Sequence, residues 1–548
     1  MIKTLFNNRL LNSRPSESVI ASAFIITVAG VIGNVLGLFR DRMLASNFGA
    51  GDTLDVYYAA FRIPDLIYNL LILGALSAAF IPVFTGLISK EKEAEAWKMA
   101  SGILNLALVS IIVCSALLAL FAPLLMQLIT PGFPPEKMAA AVSFTRVMFL
   151  SPLFLGISGI FGGILTSLKR FLVYSIAPLL YNIGIIIGIL FLVKIFGPIG
   201  LAWGVVLGAF LHLLFQYVAA KNLGYAHQWS LFKTLKNPDV RKVLTLMLPR
   251  MTGIAVNQFN LMIITIFAST LAAGSLAVFN FSQNLQSLPL SLFGISFAIA
   301  VFPVLSTFAA RGEDDNFVHA FSETFRQILF FVIPLSVLMI VLRAQIVRVV
   351  LGAGKFDWTD TILTFQCMGI FALSLFAQST VQLLARSFYA LQDTKTPFYV
   401  ALATEAVNIL AVILLIGKLQ VMGLAIAFSL SSVVQMFLLL FILRTRFEDL
   451  DDKTIIKSTI KIAAASFAAG AGIQLTKYVV SFFLDLDYFA GVFAQLIISS
   501  LVGLVIFLLA CHLMQLEEFV RFKNSLTKKL FRSKQAVITE STDEVSGM

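Results

Sequence analysis

Cysteine and histidine are scarce in this 548-residue chain, with three of one and four of the other, and their placement excludes whole classes of chemistry. Cys114, Cys367 and Cys511 sit singly inside apolar stretches, with no CxxC pair and no histidine at ligand spacing. Neither a disulfide framework nor a zinc site is expected, and the three read as small core residues. His212, His227, His319 and His512 are scattered and form no metal or proton-relay cluster. Charge is sparse too, at 13% of residues. The segments between apolar stretches contain no clustered histidine, and carboxylate runs such as Glu448–Asp452 and Asp485–Asp487 stand without one. An enzyme acting on lipid-linked sugars would need such acid/base or metal-binding groups. No metal and no cofactor are expected.

What the chain has in quantity is apolar side chain: 59% of residues and a mean hydropathy of +0.93. An ordinary soluble domain is about half apolar, so that class is excluded. Stretches such as residues 18–38, 103–128 and 489–513 are each long enough to cross roughly 30 Å of hydrocarbon as a helix. Lipid offers no partner for backbone N–H and C=O groups, and the runs lack the alternation of barrel strands. The fold class is therefore an all-α membrane protein, with about fourteen transmembrane helices read between charge clusters and Gly/Pro breaks. Lys3, Arg9 and Arg14 precede the first apolar run, which has no small-residue cleavage site and reads as a retained span.

With residue 1 on the cytoplasmic side, most of the 40 Lys and Arg residues fall in cytoplasmic segments. Both termini are then cytoplasmic, in a bacterial inner membrane. The formal charge of +11 is largely topological: Lys221, Lys233, Lys236, Arg241 and Lys242 in one loop, and the basic tail from Arg521 to Lys534, lie beside anionic headgroups. Membrane lipids are expected partners and nucleic acid is not. The tail ends in ITESTDEVSGM, a composition that favours disorder at its end.

SAAFIPVFTGLISKE (77–91) resembles SFAIAVFPVLSTFAARGE (296–313), aligning Pro82 with Pro303, and GLAWGVVLGA from Gly200 resembles GLAIAFSLSS from Gly423. The offset of about 221 residues spans six helices, an even number, so the halves run parallel, related by an axis along the membrane normal. The organisation read from this is a cytoplasmic N-terminal segment (1–17), an N-lobe of six helices (18–220), an inter-lobe linker (221–239) and a C-lobe of six helices (240–446). Two further C-terminal helices (447–515) and a cytoplasmic basic tail (516–548) complete it.

Charges in hydrocarbon cost about 2.5 to 3.5 kcal/mol each on insertion scales, so those present line a cavity or pair. Asp55, Arg62 and Asn69 recur at seven-residue intervals with Asp65 between them, along one helical face. Gly30, Gly33, Asn34, Gly37 and Asp41 share a face of the first span, with Arg40 and Arg42 beside it. A second stripe holds Arg250, Gly253, Asn257 and Asn260, then Asn280, Gln283, Asn284 and Ser287. Such amides either hydrogen-bond helices together or line a hydrated cavity, and the sequence leaves both open. Arginine forks suit phosphate oxygens. In SFYALQDTKTP (387–397), Asp393 and Thr394 offer capping acceptors and Pro397 can start a helix. Glu405 with Asn408 reads as a protonated or paired group within a span.

These stretches resemble the MurJ/MviN family, the lipid II flippases of the superfamily that also holds MATE drug exporters and polysaccharide flippases. The resemblance runs over residues 18–446. Its most specific parts are GLFRDRMLASNFGAGDTLDVYYAAFRIPDL (37–66), GALSAAFIPVF (74–84), LPRMTGIAVNQFN (248–260), FASTLAAGSLAVFNFSQNLQSLP (267–289) and RSFYALQDTKTP (386–397). It implies two lobes around a central cationic cavity, a groove for a polyprenyl tail formed by the last two helices, and movement of a lipid-linked disaccharide-pentapeptide to the outer leaflet. The implied partners are lipid II or a related undecaprenyl-pyrophosphate-linked saccharide, with the cell-wall synthesis machinery as a further candidate. The coupling ion, or use of the membrane potential, is left unidentified.

Carried over by position, the family's GLFRD arginine and aspartate are Arg40 and Asp41, its second-span aspartate is Asp55, and a basic position beside the IP dipeptide is Arg62. Elsewhere the chain departs from the pattern. Asn34 replaces an arginine, Tyr68 and Asn69 an arginine pair, and Leu73 an acidic residue. Gln283 and Asn284 replace an aspartate and an arginine, and Ile264 an aspartate. The cavity is thus expected to carry fewer charges than the family's, with Asn34, Arg40, Asp41, Asp55, Arg62, Asn69, Arg250, Asn257, Asn260, Asn280, Gln283 and Asn284 as its candidate residues. The leading expectation is a lipid II flippase working by alternating access. A flippase for another polyprenyl-linked saccharide, a MATE-like exporter and a non-transporting cell-wall scaffold are the alternatives.

Overall fold

A computed structural model of the chain describes residues 19–70, 80–229 and 237–524, without the side chains of 19–24, 248–250, 252–254 and 257. The segment 1–17, the start of the first repeat motif (77–79), Leu73, Lys233, Lys236 and the tail beyond 524 lie outside the described residues. Among the described residues all regular structure is helical.

Among the described residues, eight helical stretches are long and apolar enough to cross a membrane. Two of them, Phe171–Asn222 and Lys395–Phe447, contain 52 and 53 residues, about 78 Å at 1.5 Å per residue and more than twice the hydrocarbon thickness. Each is interrupted, the first at Gly197 (φ +70°) beside Pro198, the second at Gln420 (φ +50°). Val19–Phe48 and Asp452–Ser481, 30 residues each, are also long enough; the first holds Arg40, Asp41 and Arg42 only in its last third, and the second holds Lys453, Lys457 and Lys461 in its first third. The eight stretches therefore do not map one for one onto the fourteen expected spans.

The chain forms two compact units. The first comprises Met1–Asn284, Val350–Thr364 and Ile409–Leu424. Its core gathers Phe80, Phe84, Met99, Ile103, Phe161, Ile164, Val240 and Val243 around Tyr225, whose ring meets that of Trp97 edge-on at 5.9 Å. Within this unit two helices approach closely through facing glycines. Phe171–Ile187, continued by the wider π-type turn Gly188–Leu192, packs on Gly200–Asn222. A Cβ on Gly184 would stand 2.2 Å from Gly208 Cα, and one on Gly204 would stand 2.7 Å from Gly188 Cα. This is the small-xxx-small packing used where lipid removes the hydrophobic drive for helix association. Gly208→Val is expected to lower both the membrane level and the thermal unfolding midpoint in detergent. Gly417→Ala, whose new Cβ meets nothing within 4 Å, is expected to match wild type. A Gly208→Val chain as stable as wild type would show that this contact does not hold the helices.

The second unit comprises Leu285–Val349, Phe365–Asn408 and Ala425–Met548. Phe317, Phe321, Phe371 and Phe388 are fully buried in it, and Phe317 stacks on Phe447 at 4.9 Å. Buried Arg326 pairs with buried Glu518 at 2.6 Å, tying Asp314–Val341 to residues 517–524. Large apolar side chains also point outward, Phe483 and Leu513 being 81% exposed, as suits a surface solvated by lipid. Asp393 accepts from the Lys395 and Thr396 backbone N–H groups at 3.1 and 2.9 Å and from Thr396 Oγ1 at 2.7 Å, and pairs with Arg446. Burial alone would raise this carboxyl; the Thr396 bonds and the Arg446 guanidinium outweigh it and hold Asp393 below the usual carboxylate value. Asn408 Nδ2 donates to Glu405 Oε1 at 3.3 Å.

Candidate functional site

The first unit encloses a cavity of about 350 Å3. Arg40 reaches its wall from the Val19–Phe48 helix. Its Nε and Nη2 donate to Asp41 Oδ1 at 3.0 and 2.8 Å, and its Nη1 donates to Asn182 Oδ1 at 3.0 Å. Asp41, 2% exposed, accepts on its other oxygen from Asn284 Nδ2 at 2.8 Å. Arg62, one turn before Asp65 on Arg62–Tyr68, is likewise buried. Its Nε donates to Thr265 Oγ1 at 2.7 Å and its Nη2 to Asn280 Oδ1 at 3.2 Å.

Local geometry explains why these partners are acceptors. Thr265 spends its hydroxyl proton on Leu261 O at 2.8 Å, and Asn280 spends Nδ2 on Leu276 O at 2.7 Å, so each turns an oxygen toward the guanidinium. A guanidinium offers five N–H donors. Arg62 uses two of them and Arg40 three in these bonds, leaving donors for a ligand on both. Tyr57, Tyr58, Tyr68 and Tyr181 line the wall further, with Asp65, Asn69, Asn280 and Asn284, and Leu44, Phe61, Leu155 and Ile185 complete it. Among the described lining residues there are two guanidiniums and one carboxylate, and Asp41 stands directly behind Arg40. The wall is thus less cationic than the resemblance implies, because Tyr68, Asn69 and Asn284 occupy positions where the family has arginine.

Asp55 does different work at one end of the same unit. Its Oδ2 accepts from Lys137 Nζ at 2.8 Å and from Gly274 N at 2.7 Å, and its Oδ1 accepts from Ala277 N at 3.0 Å. It therefore caps the start of Ser275–Pro289 and neutralises Lys137, which also meets Asp52 at 2.6 Å. Backbone approaches tighten this end. Gly274 (φ +89°) lies so close to Ala50 that a Cβ would be 1.9 Å from its carbonyl oxygen, and a Cβ on Gly132 would be 2.2 Å from Ser269 O. Lys355 N donates to Ser46 O at 2.8 Å, and Ala50 N to Asp360 Oδ2 at 2.8 Å.

Of the residues singled out in the sequence, Arg40, Arg62, Asn69, Asn280 and Asn284 line the cavity. Asp41 backs it, and Asp55 stands apart in its capping position. Asn34, Asn260 and Gln283 are half-buried and not part of the lining. The side chains of Arg250 and Asn257 lie outside the described residues. Sequence reasoning missed Asn182, Thr265, Lys137 and the four tyrosines. The tyrosines alone left a signal, since Tyr58 shares the spacing of four, three and four that joins Arg62, Asp65 and Asn69.

Comparison with known proteins gives consistent likenesses. The family described as "Lipid II flippase MurJ" matches residues 44–494. A protein of Bdellovibrio bacteriovorus named "Probable lipid II flippase MurJ" is 31% identical over 468 residues, covering 84% of this chain and 88% of that one. Among solved structures, "Lipid II flippase MurJ, inward closed conformation" superposes with a TM-score of 0.74 at 25% identity, covering 90% of this chain and 98% of the other. An inward-facing multidrug resistance MATE family transporter matches in fold, with a TM-score of 0.66 at 16% identity, over 79% of this chain and 99% of that one.

Proposed function

The chain belongs to the lipid II flippase MurJ family, and on that footing we propose that it moves lipid II from the inner to the outer leaflet of the bacterial cytoplasmic membrane. The observation that carries the reading to this chain's own residues is the pair Arg40 and Arg62. Both line one cavity, and both retain N–H donors after their protein bonds are made. A diphosphate presents oxygens that such forks bind strongly. The resting cavity, about 350 Å3, is too small for a whole disaccharide-pentapeptide, so capture of the headgroup requires a wider state.

With both termini cytoplasmic, the end sealed around Asp55 faces outward and cargo enters from the cytoplasmic side. The headgroup then passes by alternating access while the polyprenyl tail stays in lipid. The internal repeat supports six-helix lobes at 18–220 and 240–446 as the moving parts, with 447–515 as an added pair. The chemistry required is transport, with no covalent step.

Complementation tests this. In cells depleted of their own lipid II flippase, the chain is expected to restore growth and the appearance of lipid II on the outer leaflet, and Arg40→Ala is expected to lose both at an unchanged membrane level. No restoration despite good membrane insertion would overturn the reading.

A further inference from the structure

The cavity wall has a second chemistry that the diphosphate does not use. Asp65 lines it, and its carboxylate makes no hydrogen bond or ion pair at bonding distance with any described residue. Arg62, one turn before it on the same helix, directs its bonds to Thr265 and Asn280 instead. Tyr58 is 9% exposed, lines the same wall, and its hydroxyl oxygen is buried with no partner among the described residues. Asn69 donates Nδ2 to the Asp65 carbonyl at 2.8 Å, which leaves its Oδ1 as a further acceptor. Beside the guanidinium donors that remain for the diphosphate, acceptors and tyrosine faces are thus left over. A surplus of acceptors around an aromatic wall complements a group with several N–H donors and a positive charge.

We propose that Asp65, with Tyr58 and Asn69, receives a primary ammonium of the cargo, the free amine of a diamino acid in its peptide stem. This rests on the lipid II reading above and refines it, since the same cavity then reads both ends of a zwitterionic headgroup. Arg62 and Arg40 take the diphosphate, and Asp65 takes the ammonium. Asp65 is a specificity-determining residue in this arrangement, and a stem without the amine is the discriminated substrate.

The test is binding of two probes to the purified full-length chain: lipid II with lysine in its stem, and the same lipid acetylated on that lysine amine. Wild type is expected to bind the free amine at least about tenfold more tightly, the scale of a charge-assisted hydrogen bond in a desolvated site. Asp65→Asn is expected to bring the two affinities within about twofold, while Asp65→Glu keeps most of the preference. Equal binding of the two lipids by wild type, or an undiminished preference in Asp65→Asn, would overturn this assignment and leave the flippase reading standing. Binding of neither lipid would overturn both.

Discussion

Asp55→Ala is expected to abolish complementation and to lower the stability of the detergent-solubilised chain. The carboxylate is 3% exposed and accepts three hydrogen bonds, from Lys137, Gly274 and Ala277. Alanine would strand the Lys137 ammonium, whose side chain is 9% exposed, with only the solvent-facing Asp52. Removing one partner of a buried ion pair costs about 3 to 5 kcal/mol, and a lost helix cap adds about 1 kcal/mol. Asp55→Asn keeps an acceptor for the cap but not the charge, so its loss should be smaller. Pairing it with Lys137→Met should recover part of the stability, because the stranded cation is then gone. Thermal unfolding of the four proteins measures this directly, and an Asp55→Ala chain that melts and complements like wild type would end the assignment.

Arg62→Ala is expected to reduce outer-leaflet delivery of lipid II at least about a hundredfold, the scale of two charge-assisted bonds, while the chain still inserts. The truncation leaves Thr265 and Asn280 facing an empty space and removes the donors left for a diphosphate. Arg62→Lys is expected to rescue little. An ammonium is a point charge and cannot hold Thr265 and Asn280 in one plane while presenting a second edge to the cargo. Asn280→Ala, which removes one neutral acceptor, should cost less than either. Delivery measured against membrane level in each variant separates transport from folding, and wild-type delivery by Arg62→Ala would remove this residue from the site.

The helices were legible because lipid imposes a simple demand: long apolar runs with internally satisfied backbone. Spacings of three, four and seven also grouped Arg62 with Asn69 and Asn280 with Asn284, and all four line the cavity. The same rule grouped Gln283 with Asn284 and Asn34 with Asp41, although neither Gln283 nor Asn34 lines the cavity. A helical face is broad, and periodicity does not say which part of it meets a void. The capping of Ser275–Pro289 by Asp55 joins residues 219 and 222 apart in sequence, and no local pattern announces such a partner. Asp65 was visible as a charge within a stripe. Its meaning depends on Arg62 bonding elsewhere, and only the fold reveals that.

The end sealed around Asp55 brings backbone against backbone, at Gly274 and Ala50, Gly132 and Ser269, and Gly354 and Ser46. Parting these three contacts uncovers carbonyl oxygens and glycine Cα–H groups, while Phe133 and Phe356, buried next to them in the chain, add apolar area. Heat capacity rises with apolar exposure and falls with polar exposure, so the two contributions oppose each other when this end opens. The more nearly they cancel, the more smoothly the balance between shut and open forms varies with temperature.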